Sequence, residues 1–240
     1  MNWPKVCMPK HLGGLGIPNL QLLSIAFRVR WLWKNVTDQS KPWNGLPLPV
    51  DGVVRAVFHA STSISIHNGR DTSFWKSHWL QGVPLCDRFP SLFKHSRMRS
   101  LSVRQALPNR HWITMIKPNP SMTVLREYLL LWELLDSQPP IQFTEEPDSD
   151  TWRWTSSGSY SASSAYAMMF TGSIRSNVFP QVWKTKATPK CRLHAWLLLH
   201  DRCLTADNLA KRGWPCNPIC SLCHIHPETA VHISAACSYA

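Results

Sequence analysis

The stretch that decides how the chain folds at its end is CSLCHIHPETAVHISAAC, residues 220–237. Cys220 and Cys223 are separated by two residues, a spacing at which a tight turn directs both sulfur atoms toward one ion. His232 then offers an imidazole nitrogen, and Cys237 adds a third thiol. Three thiolates and one imidazole suit tetrahedral Zn²⁺ and disfavour Mg²⁺ and Ca²⁺. The stretch therefore predicts a small zinc site.

The predicted ion is structural, because four protein ligands fill the coordination shell and leave no position for a reacting water. Cys216, His224 and His226 are alternative ligands. All three rank lower, because Cys216 lies outside the Cys220–Cys223 turn and His224 is too close to Cys223 to close a second loop. Buried thiols with incidental histidines are the competing interpretation, which a pair of cysteines alone would leave open.

The composition places the chain inside the cell. It has 240 residues, of which 44% are hydrophobic, and eight are cysteines. No apolar run reaches the ~18 residues of a transmembrane helix, and the N-terminus lacks the apolar segment of a secretory signal. We therefore expect a nuclear or cytoplasmic protein without membrane contact. In a reducing compartment the thiols stay free or bind metal.

The charge indicates a polyanionic partner. A net charge of +12 favours nucleic acid, although a solvated basic surface explains the charge equally well. Residues 70–112 carry eight Lys and Arg beside Asp71 and Asp87, and they are a candidate phosphate-facing surface or a solvated face. A second basic region lies around residues 184–212. Its candidate nucleic-acid-binding residues are Lys184, Lys186, Lys190, Arg192, Lys211 and Arg212.

Helical spacing of apolar residues predicts most of the secondary structure. The predicted helices cover residues 19–36, 121–136, 162–170, 190–200 and 205–212. We expect the fourth helix to be buried, and Thr205 to cap the fifth. In the first helix we expect Leu20, Leu23, Phe27 and Trp31 to form the buried stripe. The alternative is that its aromatic and basic residues contact nucleic acid.

The remaining patterns predict small β-hairpins and a boundary. Residues 62–75 alternate around Asn68-Gly69, which is a strong hairpin signal. Residues 151–161 predict two short strands about a turn at Gly158. Residues 136–150 are rich in proline and acid and predict a flexible linker or an exposed loop. The expected fold is α+β and mostly helical, with a region at 1–135, the linker at 136–150 and a zinc-binding domain at 151–240.

No constellation of residues predicts a catalytic centre. The chain has 14 Asp and Glu, and Asp148 and Asp150 lie in the predicted linker. Residues 11–16 hold three glycines but lack the preceding strand and the following Lys-Ser/Thr of a phosphate loop, so they predict a flexible turn. We expect no enzymatic activity from this chain by itself.

The chain resembles the C-terminal region of plant non-LTR (LINE-type) retrotransposon reverse transcriptases, including their zinc-binding domain. Matching segments occur in the same order along almost the whole chain. The matches include Trp3-Pro-Lys-Val-Cys-Met-Pro-Lys10, Gly13-Gly-Leu-Gly-Ile17, His67-Asn-Gly-Arg-Asp-Thr-Ser-Phe-Trp75, Trp79-Leu80, Trp152-Arg-Trp154, Gly158-Ser-Tyr160, Ser164-Ala-Tyr166, Trp183, Pro189-Lys190, Trp196-Leu-Leu-Leu-His200, Thr205-Ala-Asp-Asn-Leu209, Arg212-Gly213, Glu228-Thr229 and the four predicted zinc ligands.

The resemblance implies a nucleic-acid-binding accessory region of a polymerase, with RNA or DNA and a reverse transcriptase core as partners. The catalytic core of that family, with its Tyr-x-Asp-Asp motif, would lie upstream. The sequence stops three residues after Cys237, where the family continues, so we expect a truncated element copy. The alternative is a zinc-stabilised protein-interaction module or a fragment without function.

Overall fold

The computed structural model describes residues 2–38, 40–42 and 50–239, and these residues are mostly helical. The helices are α1 (Trp3–Val6), α2 (Leu20–Thr37), α3 (Gly52–Ser61), α4 (Leu85–Arg88), α5 (Pro90–His95), α6 (Val103–Ala106), α7 (His111–Thr114), α8 (Met122–Asp136), α9 (Ala162–Met168), α10 (Val178–Lys184), α11 (Pro189–Leu199) and α12 (Ala206–Ala210). The strands are β1 (Thr62–Ser65) and β2 (Ser149–Trp152). The mostly helical α+β class is confirmed. Across the described ranges, no helix combines the length and apolar character needed to cross a membrane.

Side-chain caps explain where several helices begin. Ser121 accepts a hydrogen bond from the Val124 N–H at the start of α8, and Asp51 accepts one from the Val54 N–H at the start of α3. Ser161 caps α9 by accepting from the Ser164 N–H. Such caps satisfy backbone donors that a first helical turn leaves without a partner. The helix starts expected near residues 121 and 162 therefore have a local cause.

The chain divides into two compact units. We call Met1–Leu20 with Phe170–Ala240 the terminal unit, and Gln21–Met169 the central unit. The first residues of the chain therefore belong with the last ones. The prediction that residues 136–150 link two separate domains, 1–135 and 151–240, stays a prediction.

The predicted hairpin at residues 62–75 is wrong. β1 pairs antiparallel with β2, with Thr62 opposite Trp152 and Ser65 opposite Ser149. Ser73 instead forms an isolated bridge with Ser102. The expected second strand after Gly158 is also absent from the part of the chain that the structure describes. There the Trp152 N–H donates to the Gly158 carbonyl across a turn.

Asp148 replaces the hairpin as the organiser of the Asn68-Gly69 turn. Its Oδ1 accepts from the N–H groups of His67 and Gly69 at 2.8 and 2.9 Å. Its Oδ2 accepts from the N–H and hydroxyl of Thr72 at 3.1 and 2.6 Å. The end of residues 136–150 is thus tied to the central unit, and the expected flexible setting of Asp148 and Asp150 is wrong.

Two hydrophobic clusters fill the central unit. One surrounds Phe74, Trp75 and Trp112, and the other joins α2, α3, β2 and α9. In the second cluster α2 contributes Ala26 and Val29, with Trp33 packed beside them.

The buried stripe predicted for α2 is wrong, because Leu20, Phe27 and Trp31 are 76%, 48% and 45% exposed. The exposed residues Leu20, Phe27 and Trp31 recur at helical spacing, and so do Ala26, Val29 and Trp33, which pack in the core. Periodicity alone therefore does not decide which face of α2 is buried.

Residues 11–16 form a packed turn in the terminal unit, which differs from the flexible turn expected. The Gly13 carbonyl accepts from the Trp196 and His200 side chains, both at 2.8 Å. A Cβ at Gly13 would lie 2.7 Å from the Phe179 ring, and its φ of +93° also favours glycine. Trp196 is the buried residue of α11, whereas Leu193 and Leu199 are exposed, so the burial expected for residues 190–200 holds only in part.

Candidate metal centre and nucleic-acid interface

A hairpin-like turn presents the first two predicted zinc ligands. The Cys220 N–H donates to the His226 carbonyl at 2.8 Å, and the Glu228 N–H donates to the Pro218 carbonyl at 2.8 Å. Inside this turn the His224 N–H donates to the Cys220 carbonyl at 2.9 Å, and His224 adopts a left-handed φ of 56°. The turn places Cys220 and Cys223 on the same side, as their spacing predicts.

A π-helical turn over His232–Ala236 positions the other two predicted zinc ligands, His232 and Cys237. The Cys237 N–H donates to the His232 carbonyl at 2.7 Å, which is an i to i+5 hydrogen bond. In an α-helix residues five apart point about 140° away from each other, because each residue turns the chain by about 100°. The wider π-helical turn brings His232 and Cys237 toward one point.

The structure brings the four predicted ligands together. The candidate ligand atoms of Cys220, Cys223, His232 and Cys237 all lie within 4.8 Å of one another. The Cys223 Sγ lies 3.3 Å from the His232 Nε2. Zn–S and Zn–N bonds of about 2.3 and 2.0 Å at tetrahedral angles separate ligand atoms by about 3.5–3.8 Å. The donor set therefore fits a zinc ion, and closing the widest pair by about 1 Å would bring all four atoms to bonding positions.

The backbone around Cys223 favours a thiolate. The N–H groups of His226 and Ile225 point at its sulfur and lower the pKa of Cys223 to about 6. Although the Tyr239 N–H acts in the opposite direction, burial and the adjacent Cys220 thiol raise the pKa of Cys237. Without a cation, the Cys223 thiolate forms readily, while the Cys237 thiol resists ionisation. A divalent cation would relieve that repulsion and bind all three sulfurs as thiolates.

Glu228 connects the metal-binding tail to α12, a role that spacing alone does not predict. Its carboxylate accepts from the Ala206 N–H at 3.1 Å, and its carbonyl accepts from the Asp207 N–H at 3.4 Å. The Thr205 side chain makes no cap hydrogen bond: its hydroxyl donates to the Asp207 carboxylate and accepts from the Asn208 side-chain amide at 3.3 Å. Thr205 thus occupies the predicted N-cap position of α12, but the side-chain oxygen that accepts from the first N–H of the helix belongs to Glu228. In the sequence, only the family resemblance singles out Glu228.

The alternative ligands lie outside the four-residue cluster. The Cys216 thiol lies 3.2 Å from the Ala206 carbonyl, and the His226 ring packs edge-on against His232 with centroids 5.6 Å apart. His224 is exposed. These positions make Cys216 a suitable matched control for the predicted ligands.

Four of the six predicted nucleic-acid-binding residues lie around the α10–α11 connection. Lys184 ends α10, Lys186 lies in the connection, and Lys190 and Arg192 lie in the first turn of α11. The three lysines are exposed. Arg192 is half-buried and donates to the Trp183 carbonyl at 3.4 Å, so it also holds the two helices together.

Lys10 joins this group, although 173 positions separate it from Trp183. Its ammonium lies 5.1 Å from the centre of the Trp183 ring. Lys10 and Trp183 both belong to the terminal unit, and Lys10 is exposed. No local sequence pattern could have related two residues so far apart.

The other two predicted residues follow α12. The Lys211 ammonium lies 3.4 Å from a carboxylate oxygen of both Asp201 and Asp207. Two carboxylates therefore compensate its charge, which weakens its attraction for phosphate. Arg212 is exposed beside it.

Comparison with known proteins supports the C-terminal assignment. A family described as zinc-binding in reverse transcriptase matches residues 160–240, which include all four predicted ligands. This segment is therefore similar to the zinc-binding segment of reverse transcriptases. A protein of Arabidopsis thaliana named "Putative ribonuclease H protein" is 23% identical over 274 aligned positions, which include 99% of this chain. The chain spans 42% of that relative's length. No solved structure matches the chain.

Proposed function

We propose that this chain is a nucleic-acid-binding accessory part of a plant non-LTR retrotransposon reverse transcriptase, with zinc as a structural ion. The observation that carries the proposal is the group of exposed cations at the α10–α11 connection, in the unit that also contains the candidate zinc centre. The similarity of residues 160–240 to the zinc-binding family supports this origin. The plant relative supports it as well.

The position of these cations supports a binding role. The first turn of α11 contains no acidic residue, and Lys190 and Arg192 lie there. Cations near a helix N-terminus oppose the helix dipole, which disfavours the fold by about 0.3–1 kcal/mol each. The helix dipole at the same N-terminus attracts phosphate, although Pro189 has no N–H and the Cys191 N–H already donates to the Thr188 hydroxyl. A phosphate bound there would satisfy the helix and the lysines together.

The zinc ion would order the tail that supports this surface. Residues 220–237 contain little regular structure, and Glu228 connects them to α12. A structural ion can supply the order that such a short segment lacks. In this role Cys220, Cys223, His232 and Cys237 hold the ion, and no water or substrate reacts at it.

We also propose that the chain catalyses no reaction by itself and acts beside a polymerase core. Polymerases and nucleases need carboxylates that hold two cations about 3.5–4 Å apart. Within the described ranges, the one group of side chains suited to a metal is the cysteine-histidine cluster. Polymerase and nuclease assays of the zinc-loaded chain with Mg²⁺ should give no turnover. Turnover above that of a mock preparation would contradict this proposal.

Salt-dependent binding of single-stranded RNA and DNA tests the binding role. If about four phosphates are contacted, log K should fall with log salt with a slope of about −3. Lys190→Ala should weaken binding and reduce that slope by about 0.7 in magnitude, while slightly stabilising α11. The matched control is Lys211→Ala, which should change binding little, because Asp201 and Asp207 already compensate Lys211. Undetectable binding at low salt would contradict the proposal.

A zinc-stabilised protein-interaction module is the second candidate, and exposed apolar residues favour it. In the terminal unit Leu204, Trp214, Ile225, Val231 and Tyr239 are each at least 66% exposed. Apolar surface of this kind marks sites of protein contact when it is contiguous. This function would be favoured if the chain aggregated by itself, became soluble when a reverse transcriptase core was added, and showed no binding to nucleic acid.

A further inference from the structure

A polar cavity in the central unit has no part in the function proposed so far. It has a volume of about 580 Å³, and the end of α2, α3, β1 and parts of residues 71–78 and 147–150 line it. The lining carries three carboxylates, those of Asp71, Asp148 and Asp150, against the one ammonium group of Lys76. The volume falls within the ~300–1,000 Å³ typical of small-molecule sites. The cavity is thus large enough for a small organic ligand, and its charge favours a cation.

Strand pairing directs Asp150 toward this cavity. Asp150 lies opposite Ile64 in the pairing of β1 with β2, and directly opposite residues share one face of the ladder. Ile64 lines the cavity as well. Across the described ranges, no side chain or N–H forms a hydrogen bond or ion pair with the Asp150 carboxylate, and the charge that acts on it is the like charge of Asp148. The fold therefore keeps an uncompensated carboxylate at an inward position.

The Asp150 carboxylate, unlike that of Asp148, has acceptor positions to offer a ligand. The two Asp148 oxygens already accept four hydrogen bonds from residues 67–72. Burial, and then the charge of Asp148, raise the pKa of Asp150 to about 6, so its carboxylate is mostly ionised near pH 7. A partly buried charge without a partner is unfavourable, and a bound cation would offset that cost.

A buried histidine supplies a second acceptor. The Thr62 hydroxyl donates its proton to the Phe58 carbonyl at 2.7 Å, so it can only accept from the His78 Nε2–H, at 2.8 Å. The neutral ring therefore carries its unshared electron pair on Nδ1, and no described residue donates a hydrogen bond to that atom. Burial, and then the charge of His59, lower the pKa of His78 to about 4, so the ring is neutral near pH 7. His78 is 5% exposed and lines the cavity.

The arrangement of these groups favours an organic cation over a metal ion. In the part of the chain that the structure describes, only the cysteine-histidine cluster gathers three or more ligand atoms closely enough to hold a metal. A primary ammonium group carries three N–H donors and can reach acceptors that lie further apart. Val36, Phe58 and Ile64 line the same cavity and offer apolar surface to a carbon chain.

We propose that this cavity binds a small organic ammonium ion, whose N–H groups donate to the Asp150 carboxylate and to the His78 Nδ1. Asp71, which is exposed and also lines the cavity, adds to the attraction for a cation. The site lies in the central unit, whereas the candidate zinc centre and the cations of the α10–α11 connection belong to the terminal unit. The proposal is therefore independent of the nucleic-acid-binding role.

The test compares two probes of equal length, n-butylammonium and the uncharged 1-butanol, on the zinc-loaded full chain near pH 7 and at constant ionic strength. The ring C–H signals of His59 and His78 in NMR spectra report binding, because the two rings stack with centroids 4.7 Å apart and both line the cavity. We expect butylammonium to shift these signals saturably and butanol to leave them nearly unchanged.

Variants separate the site from the stability of the unit. Asp150→Asn should weaken butylammonium binding about 10- to 150-fold, because a hydrogen bond to a charged group is lost. The same variant should unfold less readily near pH 7, so unfolding could not explain the loss. Asp71→Asn should weaken binding about 2- to 5-fold, because its charge is screened at an exposed position. The matched control is Glu146→Gln, at an exposed position of the same segment as Asp150, and it should bind as the unchanged chain does.

Three outcomes would overturn the proposal. Equal binding of butylammonium and butanol would mean that the cavity selects carbon chains and not charge. Equal affinity of Asp150→Asn and the unchanged chain would remove Asp150 from the site. Absence of any saturable shift would leave Asp150 as an inward charge that protects a strand edge from pairing. Lys190→Ala should not alter butylammonium binding, so the cavity and the nucleic-acid-binding role can fail separately.

Discussion

Asp148 shows how one carboxylate can organise a loop. Because its four hydrogen bonds join residues 67–72 to the start of β2, we expect Asp148→Asn to destabilise the central unit by about 2–3 kcal/mol. The amide would present a donor where the Thr72 N–H already needs an acceptor. Chemical denaturation measures the change. Glu146→Gln, at an exposed position of the same segment, should have almost no effect.

The pH dependence of that contribution follows from its hydrogen bonds. Although burial acts in the opposite direction, bonds from Thr72, Gly69 and His67 lower the pKa of Asp148. Its stabilisation is therefore complete above the unfolded pKa of about 4 and is lost as the pH falls through the lower folded pKa. A central unit whose stability does not change between pH 4 and pH 2 would contradict this assignment.

The ionised carboxylate of Asp150 affects the stability of the central unit in the opposite direction to that of Asp148. Burial, and then the charge of Asp148, raise the pKa of Asp150 to about 6. Its ionisation therefore destabilises the folded state above pH 6, and the effect vanishes below the unfolded pKa of about 4. Asp150→Asn should raise stability near pH 7 by about 1–2 kcal/mol and change it little at pH 4. A variant that is less stable at pH 7 would show that the carboxylate makes a favourable contact.

At the scale of elements, α2 allows two tryptophans of one helix to be compared. The Trp33 ring packs against Trp152 and Tyr160, with centroids 6.2 and 6.4 Å away, while Trp31 is 45% exposed. We expect Trp33→Ala to cost about 3–4 kcal/mol and Trp31→Ala less than about 1 kcal/mol. Thermal or chemical unfolding of the two variants checks the orientation of α2. Equal losses would mean that the helix buries both faces.

The sequence predicts those elements whose causes are local. Ser121 marks the start of α8 through its own hydrogen bond, and the Cys220–Cys223 spacing predicts a turn that the structure contains. The partner of β1 could not be predicted, because β2 lies more than 80 residues later and no local pattern encodes that pairing. The Asn68-Gly69 pair does form a turn, but the Asp148 carboxylate determines the path of the chain after that turn. The α2 face is ambiguous for another reason, since both of its stripes are apolar.

In the candidate metal and nucleic-acid sites, too, some features follow from local sequence and others depend on contacts between distant segments. The four predicted zinc ligands lie together, as spacing and residue type predict. The roles of Glu228 and Lys10 depend on contacts between distant segments, which spacing does not contain. The π-helical turn at His232–Ala236 is a further example, because its wider i to i+5 geometry has no recognised residue signature.

At the scale of the whole molecule, zinc removal should affect the two units differently. We expect a strong chelator, or Cys223→Ser, to remove one zinc ion per chain and to expose the amides of residues 216–239 to hydrogen exchange. The central unit should keep its protection, because the predicted ligands all lie in the terminal unit. Metal analysis and hydrogen exchange measure these outcomes. Cys216→Ser is the matched control and should retain the metal. A metal-free chain with an unchanged tail would contradict a structural zinc ion.

The contact of Gly13 with Trp196 and His200 has a consequence for biosynthesis. The ribosome releases Gly13 long before it makes α11, and at about 5–20 residues per second the interval is roughly 10–40 s. During that time the Gly13 carbonyl lacks the Trp196 and His200 side chains that donate to it, while the residues of Gln21–Met169 have already been made. The terminal unit can therefore be completed only after α11 and residues 220–237 have emerged, so we expect newly made chains to acquire zinc only once those residues have left the ribosome.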